Sequence, residues 1–97
     1  NSQASNRNLI FQNYPNPFNS QTTITYQLSK DDIIDVYISD IMGRQIKTLF
    51  SGNQKEGLYN LTWDSRNSLG QEVSSGLYYY TIKTYNKSVI KKILLIR

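Results

Sequence analysis

Ninety-seven residues with no cysteine and no histidine make one domain and exclude disulfides, thiolate metal sites and the commonest general base. The formal net charge of +4 is gathered at one end: residues 1–72 hold six Lys/Arg against seven Asp/Glu, whereas 73–97 hold five Lys/Arg and no acid. No apolar run approaches the roughly 18 residues of a membrane span, and the N-terminus lacks the basic-then-apolar form of a signal peptide, so the chain reads as a piece of a longer precursor.

Residues 1–8 (NSQASNRN) are polar apart from Ala4 and read as a linker remnant, which places the domain at 9–97 with a short first strand over 9–11. Thr22 to Leu28 alternates, with Ile24, Tyr26 and Leu28 facing opposite to Thr23, Thr25 and Gln27, the pattern of a half-buried strand. Residues 33–40 repeat it. The Asp40-Ile41-Met42-Gly43 stretch supplies a turn in which Gly43 can take positive φ, and 45–50 returns as the third strand. Ser51-Gly52-Asn53 and Glu56-Gly57 bracket a loop, after which Tyr59, Leu61 and Trp63 share a face. DSRNSLG (64–70) leads to two long strands, 77–85 and 88–96, joined at Asn86-Lys87.

Such short loops force antiparallel pairing, because a parallel crossover needs about a dozen residues. An all-β sandwich of about seven strands is therefore predicted, with Ile24, Tyr26, Val36, Ile38, Ile46, Leu61, Trp63, Tyr78 and Tyr80 in the core and Trp63 at its centre.

No catalytic constellation emerges. Asp31, Asp32, Asp35 and Asp40 offer oxygen ligands of the kind calcium takes, but a loop followed by an outward strand face accounts for them without a metal. Glu56, Asp64, Glu72 and the Asp31/Asp32 pair have no spacing that sets two carboxylates across a cleft. Without histidine or cysteine no nucleophile has an obvious activator, so neither enzymatic activity nor a cofactor or metal is expected. The basic tail reads as a solvated face rather than a nucleic-acid site.

The run Tyr14, Pro15, Asn16, Pro17, Phe18, Asn19 and the Thr-Thr-Ile strand after it resemble the opening of the type A C-terminal sorting domains of the type IX secretion system. Further blocks follow in the same order: VYISDIMGRQIKTL (36–49, with Gly43), GLYNLTWD (57–64, with Gly57, Trp63 and Asp64), NSLGQEVSSGLYYYTI (67–82, with Gly76 and Tyr78) and KKILLIR (91–97). The sandwich is also similar to the Ig-like domain of the flagellar hook-capping protein, which makes an Ig-like or fibronectin-like topology the expectation. The two prolines fix φ, and Tyr14 and Phe18 are expected to anchor this segment. Ser20 stands where many members carry proline and Ser65 where glycine is common; neither is expected to touch the terminal strand.

The resemblance implies a sorting module for an N-terminally attached cargo. Such a domain folds in the periplasm of a Gram-negative bacterium, is read by the type IX outer-membrane translocon, and is often removed by a sortase-like peptidase that links the cargo to the cell surface. The residues expected to be read are Lys91, Lys92, Ile93, Leu94, Leu95, Ile96 and Arg97, whose apolar run exceeds what a strand buried on one side needs and whose backbone an edge position would offer to a partner. A secreted or surface-attached monomer without nucleic-acid partners is expected. The alternatives are a carbohydrate-binding module of a secreted glycoside hydrolase, with Tyr37, Tyr79 or Tyr85 stacking on sugar, and a structural Ig-like spacer.

Overall fold

The computed structural model describes residues 12–97, so the linker at 1–8 and the strand expected over 9–11 lie outside the described residues. Seven strands follow: β1 (Gln12–Tyr14), β2 (Thr22–Leu28), β3 (Asp32–Asp40), β4 (Gln45–Gln54), β5 (Gly57–Trp63), β6 (Gly76–Lys83) and β7 (Ser88–Leu95). They form two antiparallel sheets, of order β1-β2-β5 and β4-β3-β6-β7, and the fold is an all-β, Ig-like sandwich.

Several boundaries differ from expectation, among them the end of β6, which stops at Lys83 and leaves Tyr85 in the turn, and the end of β7 at Leu95. The described chain opens on a strand at 12–14, which pairs with Thr23, Ile24 and Thr25 and carries no alternation of its own. Strand β4 continues through Ser51, Gly52 and Asn53, which read as loop, because these residues pair with Asp35, Ile34 and Ile33 of β3. A partner strand with a firm inward pattern overrides weak local propensity.

Ile24, Tyr26, Ile34, Val36, Ile38, Tyr80 and Ile82 interdigitate between the sheets, while Ile46 and Leu61, expected in the core, are partly buried and pack against its edge. Trp63 is fully buried; Phe18 meets its ring at 5.6 Å between centroids and Tyr78 meets it edge-on at 5.3 Å. Its Nε1 donates to the Arg66 carbonyl at 2.9 Å, satisfying the polar atom that burial would otherwise orphan.

Two turns at the same end share one design. In the first, Asp40 O accepts from Gly43 N and Asp40 Oδ1 from Met42 N and Arg44 N; in the second, Asn67 O accepts from Gly70 N and Asn67 Oδ1 from Leu69 N and Gln71 N. Gly43 and Gly70 sit at φ 85° and 82°, where a Cβ is disfavoured. The second turn reaches the β4 edge of the four-stranded sheet through Ser68 N, which donates to Ile46 O.

Candidate functional site

β7 is an edge strand, the position from which its backbone could be offered to a partner, but its outer edge is not bare. After β1 the chain crosses from one sheet to the other through Pro15 to Asn19 and runs beside the end of β7, where Phe18 bridges Leu95 in parallel. Phe18 N donates to Leu94 O at 3.0 Å, and Phe18 O accepts from Ile96 N at 2.8 Å. One step earlier, Asn16 substitutes its side-chain amide for a strand: Oδ1 accepts from Leu94 N at 3.1 Å and Nδ2 donates to Lys92 O at 3.3 Å. Residues 16–18 therefore occupy the outward main-chain groups from the Lys92 carbonyl to the Ile96 amide. The expectation that the whole of 91–97 offers its backbone to a partner is corrected here.

The side chains of 91–97 divide accordingly. Ile93 and Leu95 are buried, Leu94 is half-buried, and Lys91, Lys92 and Ile96 are exposed. Arg97 folds back into the domain. Its Nε donates to Val73 O at 2.7 Å, Nη2 donates to Ser65 O and Oγ at 3.0 and 2.9 Å, its N–H donates to Ser75 Oγ at 2.9 Å, and Glu72 Oε2 lies 3.7 Å from Nη1.

Ser65 holds φ 59°, a left-handed conformation that explains why glycine suits this position. Its buried hydroxyl lies 2.9 Å from Ser20 O and 2.6 Å from Asp64 O, sharing its proton between them. Ser20 and Ser65 thus meet each other, and Ser65 meets Arg97, contrary to the expectation that neither touches the terminal segment.

Of the opening motif, Phe18 is the anchor, whereas Tyr14 is 81% exposed and anchors nothing, because its side chain leaves the narrow edge strand β1 toward solvent. Pro15 accepts from Thr22 Oγ1 at 2.7 Å, and Thr22 Oγ1 in turn accepts from Asn13 Nδ2. Pro17 and Asn19 are exposed and line a groove with Ile96 and Arg97. Asp64 caps its own turn by accepting from Arg66 N at 3.2 Å, and Gly57 and Gly76 open β5 and β6. The cap by residues 16–18 could not be read from alternation, since it is made by one side-chain amide and a single bridge.

The aspartates are not brought together. Asp31 accepts from Glu56 N and pairs with Lys55, Asp32 accepts from Tyr85 N, Asp35 from Ser51 Oγ, and Asp40 holds its turn. Among the described residues no group of three His, Cys, Asp or Glu is arranged to hold a metal ion. Asp64 and Glu72 both face Arg66, at 3.9 and 3.7 Å. Tyr37 and Tyr79 share the outer face of the larger sheet, whereas Tyr85 stands in the β6–β7 turn, so the three form no single platform.

The family model described as the FlgD Ig-like domain matches residues 15–88, and no curated protein matches the chain. Among solved structures, dimeric latent PorU from Porphyromonas gingivalis is similar with a TM-score of 0.69 at 18% identity, over 89% of this chain and 9% of that one. PorZ, a surface component of the type-IX secretion system of the same organism, is similar with a TM-score of 0.61 at 23% identity, over 90% of this chain and 11% of that one. The chain thus spans about a tenth of the length of each, and the likeness is one of fold.

Proposed function

We propose that this chain, which belongs to the FlgD Ig-like domain family, is a non-catalytic C-terminal sorting module that directs an N-terminally attached cargo through the outer membrane by the type IX secretion system. The observation that carries the reading is the meeting of the opening motif and the terminal segment, which bear the resemblance from opposite ends of the chain and are hydrogen-bonded through Asn16 and Phe18 to Lys92, Leu94 and Ile96. A translocon reading Lys91 to Arg97 would then meet a folded, composite surface rather than a loose tail. The fold shared with PorZ, a type-IX surface component, supports this assignment. The partners proposed are the translocon and a sortase-like peptidase, and the destination is the cell surface or the medium.

The test is export of a fluorescent reporter bearing a signal peptide and residues 1–97, in a host with a working type IX system, beside versions ending at Ser88 or carrying Asn16→Ala with Phe18→Ala. Export of the complete version and periplasmic retention of the other two, each shown to fold, is the expected result. Retention of the complete, folded version would sink the reading.

One observation favours a carbohydrate-binding role as second reading: Tyr85 is 86% exposed at the rim of an open groove shared with Asp31, Asn53 and Lys55, an aromatic face flanked by hydrogen-bonding groups. Retarded migration in gels containing soluble polysaccharide, abolished by Tyr85→Ala, would support it.

A further inference from the structure

The cap on β7 stops halfway. The β6–β7 register runs without a bulge, and in an antiparallel ladder alternate residues turn both main-chain groups away from the partner strand. Leu94, whose N and O both bond to residues 16–18, fixes which residues these are. Ile90 N–H, Ile90 C=O and Lys92 N–H therefore continue the same outward row, beyond the reach of Asn16, and among the described residues none pairs with them.

The β6–β7 hairpin carries charge of one sign, the nearest acids being Asp35 opposite Lys83 and Asp32 at the Tyr85 amide. Lys83, Lys87, Lys91 and Lys92 flank this stretch, no acid occurs after residue 72, and none of the four enters an ion pair among the described residues. Ile90 is 61% exposed between them.

We propose that the upstream half of the β7 edge, residues 88–92, accepts an extended acidic peptide segment as an added strand. Lysines on an edge prevent a second copy from pairing there, since like charges would be set side by side. The same lysines select an acidic partner. A phosphate polymer would satisfy the lysines but has no donor for Ile90 C=O, and a lipid headgroup, even one with an N–H or O–H, does not repeat donor and acceptor at strand spacing as a peptide main chain does. The inference rests on the sorting reading only for the partner being part of a translocon; the edge itself stands on geometry and charge.

The probe is a capped peptide of alternating glutamate and valine, titrated into the 97-residue chain, with an alternating lysine and valine peptide and a heparin oligosaccharide as comparisons. The acidic peptide should perturb the amide resonances of residues 88–92 and slow exchange at Ile90 and Lys92, more strongly at low salt. Ile90→Pro removes an outward N–H that β6 does not use, so the fold should hold while affinity falls about tenfold. Lys91→Glu with Lys92→Glu should transfer the preference to the basic peptide. No binding, perturbation elsewhere, undiminished binding by folded Ile90→Pro, or equal protection of Ile90 by heparin would each overturn the proposal. Export of the complete reporter fusion reads the sorting function separately, so failure of either leaves the other standing.

Discussion

Arg97 closes the domain on Ser65, its Nη2 donating to both the carbonyl and the hydroxyl oxygen of a residue 32 positions earlier. Charge-assisted hydrogen bonds to buried acceptors contribute more than neutral ones, and Val73 O and Glu72 add to the same guanidinium. Arg97→Ala should cost about 1–3 kcal/mol of stability, read by urea denaturation. Ser65→Gly should change stability by less than about 1 kcal/mol, since relief of the left-handed backbone offsets the lost hydroxyl contacts. A loss from Ser65→Gly as large as that from Arg97→Ala would show that the hydroxyl's bonds, to Ser20 O as well as to Arg97, outweigh the relief of the backbone.

The matched turns at Asp40 and Asn67 should respond differently to acid. Removal from water pushes the Asp40 carboxyl up, but the N–H and guanidinium of Arg44 and the N–H of Met42 outweigh this, so its pKa lies below the ordinary 3.8. Because the folded pKa is the lower one, the stabilisation is present above the ordinary value and is lost as pH falls through the folded one. Asn67, an amide, holds its turn at any pH. Amide exchange at Met42 and Arg44 should therefore accelerate on acidification before that at Leu69 and Gln71, and Asp40→Asn should abolish the difference.

Much of this was legible in the sequence. The alternation of Ile24, Tyr26 and Leu28, or of Ile34, Val36 and Ile38, is a backbone period that burial on one side imposes directly. What alternation cannot report is contact made by a lone side chain. Asn16 mimics a strand with its amide, and Arg97 finds carbonyls brought close by the 64–73 connection, so the terminal segment read as a free edge when half of it is capped. Ser51 to Asn53 read as loop for a related reason: their composition is weak, and β3 supplies the decision.

Tyr80 should make the domain alkali-sensitive. Burial pushes its phenol up to about 12 from the ordinary 10.0. The folded pKa is the raised one, so the stabilisation is complete below about 10 and is lost as pH rises toward about 12, where the unfolded chain ionises more readily than the folded. Melting temperatures of Tyr80→Phe and the parent should diverge above pH 10, with the variant higher. Parallel curves would mean that the hydroxyl reaches water without cost.

Trp63 links the core to the cap on the terminal strand. Its ring is fully buried between Phe18 and Tyr78, and Phe18 is the residue whose main chain holds Leu94 O and Ile96 N. Trp63→Ala should cost about 3–5 kcal/mol, a large share of the stability of a domain this size. The more telling effect is local. With the indole gone, Phe18 loses the surface that seats it, and its two main-chain bonds to β7 lose their support. Amide exchange at Ile96 should then accelerate more than that at Ile93, whose pairing with Tyr78 belongs to the β6–β7 ladder and needs no cap. Trp63→Phe, keeping an aromatic surface against Phe18, should restore much of the protection at Ile96 at a smaller stability cost. The parent protein should emit as a buried indole. Uniform acceleration at Ile96 and Ile93 in Trp63→Ala, under conditions where the variant is still folded, would show that the cap and the core are not coupled through Phe18.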